Sequence, residues 1–174
     1  MLVKARHIVE IGCGEGIGVL MFLSETKADV TAIDFDQQQI AYAKKNILSH
    51  GKGRLKFDCH DFVETSYHTV KADGFVCLDV IEHIYSKEEK DFLSHTTGMI
   101  EKGGIAVWGT PNKDAQKYAS ARSKVGHINV FDANRLQKTL DGYFSQTFLF
   151  SMNDEVVHTG FNKMAHYLIA VCIK

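Results

Sequence analysis

The sequence predicts an α/β fold: a doubly wound, mainly parallel sheet with helices on both faces. Three observations predict it. Short apolar runs alternate with helix-period stretches along the chain; a loop with glycine at every second position follows the first apolar run; and a carboxylate, Asp34, closes the second run. Strand-like runs fall at His7–Ile11, Asp29–Ile33, Arg54–Phe57, Gly74–Leu78 and Gly104–Gly109. Between them, Ile17–Lys27, Gln37–His50 and Lys87–Ile100 have the spacing of amphipathic helices. Asp36 with Gln39 reads as a capping box opening the second helix, and Gly103-Gly104 as the stop that launches the fifth strand. After the only proline, Pro111, the run 132–140 reads as a short capped helix. Two β-rich runs follow, Phe144–Phe150 and Ala165–Ile173. They predict an antiparallel hairpin at the sheet edge, with 152–161 as its solvated loop.

With 174 residues, one domain spanning 1–174 is expected, large enough to bury an ordinary core. The chain is 45% hydrophobic and 24% charged, with no apolar run near membrane-spanning length. Twenty basic residues against 21 acidic ones make a dominant phosphate-binding face, and hence long nucleic acid, an unfavoured partner. Cys13, Cys59, Cys77 and Cys172 form no CxxC pair, which predicts reduced, partly buried thiols. The first residues run straight into strand pattern without a signal sequence, so a cytoplasmic location is expected.

The run Val9-Glu10-Ile11-Gly12-Cys13-Gly14-Glu15-Gly16 carries the chemistry. In open α/β sheets ligands bind beyond the carboxyl ends of the strands, and the helix opening near Ile17 aims its N-terminus there. A dinucleotide fingerprint starting at Gly12 needs glycine at position 17, which is Ile17. Glu10, two residues before the first glycine, suits a ligand with a cationic end better than a pyrophosphate. Asp34 is placed to accept from both ribose hydroxyls, Phe35 to pack near the base, and Asp36 to cap a helix.

These features resemble the class I S-adenosylmethionine-dependent methyltransferases, and beyond them the ubiquinone-biosynthesis O-methyltransferase group. Phe75–Ile84 is similar to that group's fourth-strand motif, Ile100–Gly104 to its post-helix turn, Gly109–Asn112 to its fifth-strand ending and Gly126–Phe131 to the segment before its last helix. The resemblance implies a Rossmann-like, seven-stranded sheet with an antiparallel last strand, and S-adenosylmethionine as cofactor. It implies cofactor contacts from Glu10, Gly12, Cys13, Gly14, Gly16, Asp34, Phe35, Asp61, Phe62 and Asp79. Two departures stand out. The family's usual N-terminal helical segment has no counterpart before residue 7, so a trimmed chain or a more open pocket is expected; and Asp79 stands where relatives often carry glutamate.

Transfer of a methyl to a hydroxyl requires in-line alignment and a base for one proton. Asp79, Glu82 and His83 fall just past the fourth strand, with His83 and His127 as the candidate catalytic residues. Some relatives bind magnesium through a matching cluster, which makes Asp79, Glu82 and His83 candidate metal ligands, while histidines favour a transition metal. The expected substrate is a small molecule, such as a phenolic quinone precursor or a sugar. Two alternatives stay open: RNA 3′-terminal 2′-O-methylation with a metal site, in which His127 would serve as the later histidine that such relatives add to the cluster, marked by a basic groove beside the pocket; and a methyltransferase-like binding protein without turnover. Trp108 and Tyr118 are weaker candidates for the acceptor pocket.

Overall fold

A computed structural model describes residues 2–47, 53–154 and 156–174. Its elements follow the expected alternation: β1 (His7–Ile11), α1 (Ile17–Glu25), β2 (Asp29–Asp34), α2 (Gln37–Asn46), β3 (Leu55–Cys59), β4 (Ala72–Leu78), α3 (Glu89–Thr97) and β5 (Ile100–Pro111). Then come α4 (Ala121–Gly126), α5 (Ala133–Asp141), β6 (Gln146–Asn153), β7 (Val156–His158) and β8 (Tyr167–Ile173). The strands form one sheet in the order β3-β2-β1-β4-β5-β8-β6-β7. The first five are mutually parallel, and β8 runs antiparallel to both β5 and β6.

The sheet has eight strands where seven were expected, because the segment read as a solvated loop contributes β7. This three-residue strand pairs Ser151 with His158 and Asn153 with Val156. The expected hairpin partners do pair, but the later strand takes the inner position. Leu168, Ala170 and Cys172 of β8 are wholly buried, whereas β6 leaves Phe148 exposed, so the more apolar strand is covered on both edges.

Two cores sandwich the sheet. On one face Phe75, Cys77 and Trp108 meet Phe92 and Leu93 of α3 and Leu136 and Leu140 of α5. The Phe75 and Trp108 rings lie 5.2 Å apart, so Trp108 is a core residue and not part of an acceptor pocket. On the other face Ile8, Val30 and Ala32 meet Val19 and Phe22 of α1 and Ile40 and Ala43 of α2.

Local chemistry sets the helix ends. Asp36 caps α2 by accepting from the Gln38 N–H at 2.7 Å, one residue short of the capping-box geometry expected with Gln39. Thr26 closes α1 early, its backbone and hydroxyl both donating to the Phe22 carbonyl. α2 ends at Asn46 with Ile47 extended as its C-cap, short of the expected His50, and residues 48–50 lie outside the described residues. Gly103-Gly104 does not stop a helix: α3 ends at Thr97 with Gly98 as its cap, and both glycines lie inside β5. There the register against β4 shifts between Ala72 and Gly74, and Gly103 adopts φ +78°. The pair therefore builds a strand irregularity.

The turn leaving β1 is tightly packed. Gly12 has φ +73°, and a Cβ there would lie 2.2 Å from Val80 Cγ2. Gly12→Ala is therefore expected to destabilise the protein by about 1–3 kcal/mol, through steric overlap and backbone strain together. In a Val80→Ala background the loss should shrink to the backbone part. Urea unfolding of the four-member cycle measures this, and a Gly12→Ala variant as stable as its parent would contradict the contact.

Candidate functional site

From β1 the chain steps through β2 to β3 on one side, then returns to β4 and β5 on the other. The crevice above the carboxyl ends of β1 and β4 is therefore the switch point at which open α/β sheets take ligands. The Gly12–Gly16 loop forms its floor, with Gly12, Gly14 and Gly16 all at positive φ.

Glu10, Asp34 and Cys13 gather beneath and beside this loop. Glu10 is 8% exposed, its Oε2 has no hydrogen-bond partner among the described residues, and burial pushes its carboxyl up to about 7, helped by the nearby Asp34 charge. Its position depends on Gly18 in the first turn of α1, where any Cβ would lie 2.0 Å from Glu10 Oε1. A glycine within a helix costs about 0.5–1 kcal/mol relative to alanine. A glycine in the first turn of an apolar helix is the signal the sequence offers for Gly18. The Cys13 thiol, buried beside Glu10 and Asp34, is pushed up to about 12 by desolvation first and then by those carboxylates; it is an inert packing group.

Asp34 is buried at the end of β2. Its Oδ2 accepts from the Gly14 N–H at 2.8 Å and its Oδ1 from the Asp36 N–H at 2.9 Å. These bonds fix the carboxylate against the glycine loop, and each oxygen retains a lone pair for a further donor. Phe35, next along the chain, is 75% exposed and flanks the crevice. Asp61 is exposed beyond β3, with Oδ1 accepting from the Val63 N–H at 2.8 Å, so it shapes its own turn and leaves Oδ2 toward solvent. Phe62 departs from expectation. It is 4% exposed, packs in the core and lies 4.7 Å from the His60 ring, so its own ring is unavailable to a ligand.

A second group of residues rises from the end of β4. Asp79 sits there at φ +54°, a backbone conformation uncommon outside glycine, with its N–H bonded to the Gly109 carbonyl of β5 at 3.0 Å. The single 3₁₀ turn Ile81–His83 follows and turns Glu82 inward. Glu82 is fully buried: Oε2 accepts from the Thr110 hydroxyl at 3.0 Å, Oε1 has no hydrogen-bond partner among the described residues, and desolvation pushes the carboxyl up to about 7. His83 Nε2 stands 4.0 Å from Glu82 Oε1.

The rings of His83 and His127 meet at 5.3 Å, almost edge to face. His83 Nδ1 lies 2.8 Å from the Gly126 carbonyl, which can only accept, so Nδ1 carries the proton and Nε2 presents a lone pair. Gln116 Oε1 stands 3.4 Å from His127 Nδ1. Burial lowers the His127 pKa, and the neighbouring His83 lowers it further. The segment bearing His127 is held by a network that sequence reading did not anticipate. Arg135 bonds Glu89 and Asn129, Asn129 bonds Glu89, and the Asn129 N–H donates to the Glu82 carbonyl.

Glu82, His83 and His127 thus converge, with one donor atom from each within 4.8 Å of the others. Of the candidate ligands Asp79, Glu82, His83 and His127, Asp79 lies outside this group. Asp79 instead lies beside the Tyr167 hydroxyl, which favours its charged form, although desolvation dominates and raises its pKa. Room for that hydroxyl exists because residue 109 is glycine: a Cβ there would lie 2.7 Å from Tyr167 Oη. His127 borders a cleft of about 460 Å³ lined by Pro111, Gln116, Tyr118, Met152 and Tyr167, which places Tyr118 where an acceptor-pocket residue was expected.

Sheet order, glycine loop and strand-end carboxylates define a methyltransferase. Residues 8–104 match the family described as a methyltransferase domain, and the chain belongs to that family. It is 32% identical over 109 residues to the mitochondrial ubiquinone biosynthesis O-methyltransferase of Schizosaccharomyces pombe, covering 62% of this chain and 38% of that protein. It is 27% identical over 112 residues to the sphingolipid C9-methyltransferase of Komagataella phaffii, covering 60% of this chain and 23% of that protein. The chain therefore spans well under half the length of these curated relatives. Among solved structures, the methyltransferase domain of bacterial CtHen1-C superposes with a TM-score of 0.76 at 16% identity, covering 98% of this chain and 90% of that one. Among the described residues no helix is long and apolar enough to cross a membrane.

The raised Glu82 carboxyl sets a pH dependence of known sign. The folded protein keeps a proton that the unfolded chain gives up near 4.5, so this residue's contribution to stability falls as pH rises from about 4.5 to about 7 and is flat above. Glu82→Gln keeps an acceptor for Thr110 and removes the buried charge. The variant should match the parent near pH 4.5 and exceed its stability by about 1–3 kcal/mol near pH 8. Urea melts at the two pH values decide it; equal destabilisation at both would show that the carboxylate is not buried as charge.

Proposed function

We infer that the chain transfers a methyl group from S-adenosylmethionine to a hydroxyl oxygen of a small molecule, with a phenol or a sugar as the acceptor type. One observation carries the cofactor half. Glu10 and Asp34 lie buried against the glycine loop, and among the described residues no lysine or arginine pairs with either. A nucleoside with a sulfonium and an ammonium supplies the positive charge such a floor lacks, whereas a pyrophosphate adds repulsion. Asp34, fixed at both oxygens, is the ribose acceptor; Glu10 faces the cationic end.

The acceptor half rests on His83 and His127. S-adenosylmethionine, held by Glu10 and Asp34, would supply the methyl group and keep the carbon–sulfur electron pair as a neutral thioether. The hydroxyl proton passes to an imidazole Nε2. His127, which borders the acceptor cleft, is the base, and the Glu82 carboxylate stabilises the resulting imidazolium. His83 is positioned by its Nδ1 bond to Gly126.

The same three side chains fit a divalent cation, since Glu82 Oε1 is buried without a partner and both imidazoles stand beside it. One carboxylate and two imidazoles suit a transition metal better than magnesium, which prefers an all-oxygen shell. A bound ion would acidify the acceptor hydroxyl. This cluster also favours a second reading, methylation of the 2′-hydroxyl at an RNA 3′ end, in which the ribose diol approaches the Glu82, His83 and His127 edge.

S-adenosylhomocysteine is expected to bind, observed by calorimetry. Asp34→Ala should weaken it by about tenfold to a hundredfold, the loss of charge-assisted hydrogen bonds worth about 1.5–3 kcal/mol. His127→Ala should leave that affinity unchanged and reduce turnover about a hundredfold or more in a screen of hydroxyl acceptors. Failure of the parent chain to bind the product analogue would end the cofactor reading, and turnover untouched by EDTA would retire the metal.

A further inference from the structure

The cleft beside His127 does not stop at the acceptor hydroxyl. Next to it opens a second cavity of about 390 Å³, lined chiefly by Asp114, Lys117, Tyr118, Lys163, Met164 and His166. The two share Ala115, Tyr118 and His166 along their common wall. One buried side chain builds both walls. Asn112 Nδ2 donates to the Asn162 carbonyl at 2.7 Å and to the Ala165 carbonyl at 2.9 Å, while its Oδ1 accepts from the Asp114 N–H at 3.2 Å. The turn carrying Lys163 is thereby fastened to the turn carrying Lys117, so the cavity is preformed.

Charge is concentrated here in a chain that is otherwise balanced. Residues 113–124 carry Lys113, Lys117, Arg122 and Lys124 against Asp114 alone, and Lys163 closes the far side, although the whole chain has 20 basic and 21 acidic residues. Lys117 Nζ stands 4.7 Å over the Tyr118 ring, and Lys124 Nζ donates to the Lys117 carbonyl at 3.1 Å, which orders the lysine-bearing turn. Neither Lys117 nor Lys163 forms an ion pair among the described residues.

We propose that Lys117, Lys163 and His166 form an anion subsite that holds a phosphate group of the methyl acceptor, selecting acceptors that carry one beyond the reacting hydroxyl. This subsite rests on the reading that the acceptor hydroxyl sits at His83 and His127. Two ammonium groups without an ion pair among the described residues, carried on two turns that line one preformed cavity, are the donors that a phosphate needs, and together they outweigh the single opposing carboxylate of Asp114. Tyr118 lies on the wall between hydroxyl and phosphate, where the body of the acceptor passes.

The test uses the whole chain, inorganic phosphate as probe, and backbone amide shifts at low ionic strength. Saturable shifts are expected at Lys117, Tyr118, Lys163 and His166, suppressed by added salt. Lys117→Ala with Lys163→Ala should raise the dissociation constant about tenfold or more, and Lys163→Glu, a single exposed change, should do the same. Asp34→Ala should leave phosphate binding unchanged. Absence of saturable shifts at tens of millimolar phosphate, or a response unchanged in both lysine variants, overturns the subsite. S-adenosylhomocysteine titrated separately distinguishes the failures. Phosphate binding without it removes the methyltransferase reading alone, and its binding without a phosphate response removes the subsite alone. A nucleoside monophosphate and a short single-stranded oligoribonucleotide then identify the source. Equal affinity supports a small phosphorylated acceptor, and tighter, more salt-dependent oligonucleotide binding supports a phosphate of a nucleic-acid end.

Discussion

Four carboxylates, Glu10, Asp34, Asp79 and Glu82, meet at the carboxyl ends of three adjacent strands, and among the described residues no lysine or arginine pairs with any of them. Burial of unpaired carboxylates is unfavourable, and both Glu10 and Glu82 respond with pKa values pushed up to about 7. Much of the local structure serves to hold them there. Gly18 leaves space for the Glu10 carboxylate, Gly12 lets the loop pass under Val80, and Gly109 admits the Tyr167 hydroxyl beside Asp79. Backbone N–H groups fix Asp34, and Thr110 fixes Glu82. An arrangement that costs stability and recruits this much support is the kind found at sites of function.

The two halves of the site differ in how they handle charge. On the β1–β2 side backbone N–H groups hold Asp34 rigidly, as a nucleoside pocket requires, while Glu10 lies buried in the space that Gly18 leaves. On the β4–β5 side a buried carboxylate faces two imidazoles, side chains able to take up and release a proton, as proton transfer requires. Two bonds tie the segment bearing His127 to the turn after β4, Asn129 N–H to the Glu82 carbonyl and His83 Nδ1 to the Gly126 carbonyl, and the Glu89–Asn129–Arg135 network anchors the same segment to α3.

The parallel core was legible because each strand of a buried sheet is a short apolar run, and periodicity separates such runs from helices. β1 was placed to the residue, and Asp34 was located because a carboxylate closes an apolar run. Errors arose where tertiary pairing overrides local signals. Gly103-Gly104 carries the mark of a helix stop, yet Ile100 already pairs with Ala72, so the glycines fall within β5. β7 exists only because β6 offers an edge. Phe62 is among the contacts that the resemblance implies, but its ring is claimed by the core. Tyr167 and Gly18 were missed since each matters only through a partner distant in sequence or on another element.

The claim on which the rest depends is that Glu10 serves as the counter-charge for a cationic nucleoside. Calorimetric titration of S-adenosylhomocysteine, whose ammonium stays charged throughout, against the protein between about pH 5.5 and pH 8 tests it most directly. Binding should tighten as pH rises through about 7 and release up to about one proton per ligand near neutrality. 5′-Methylthioadenosine, which lacks the ammonium, should show neither effect. The same pH response from both ligands, or a flat response from both, would contradict the account.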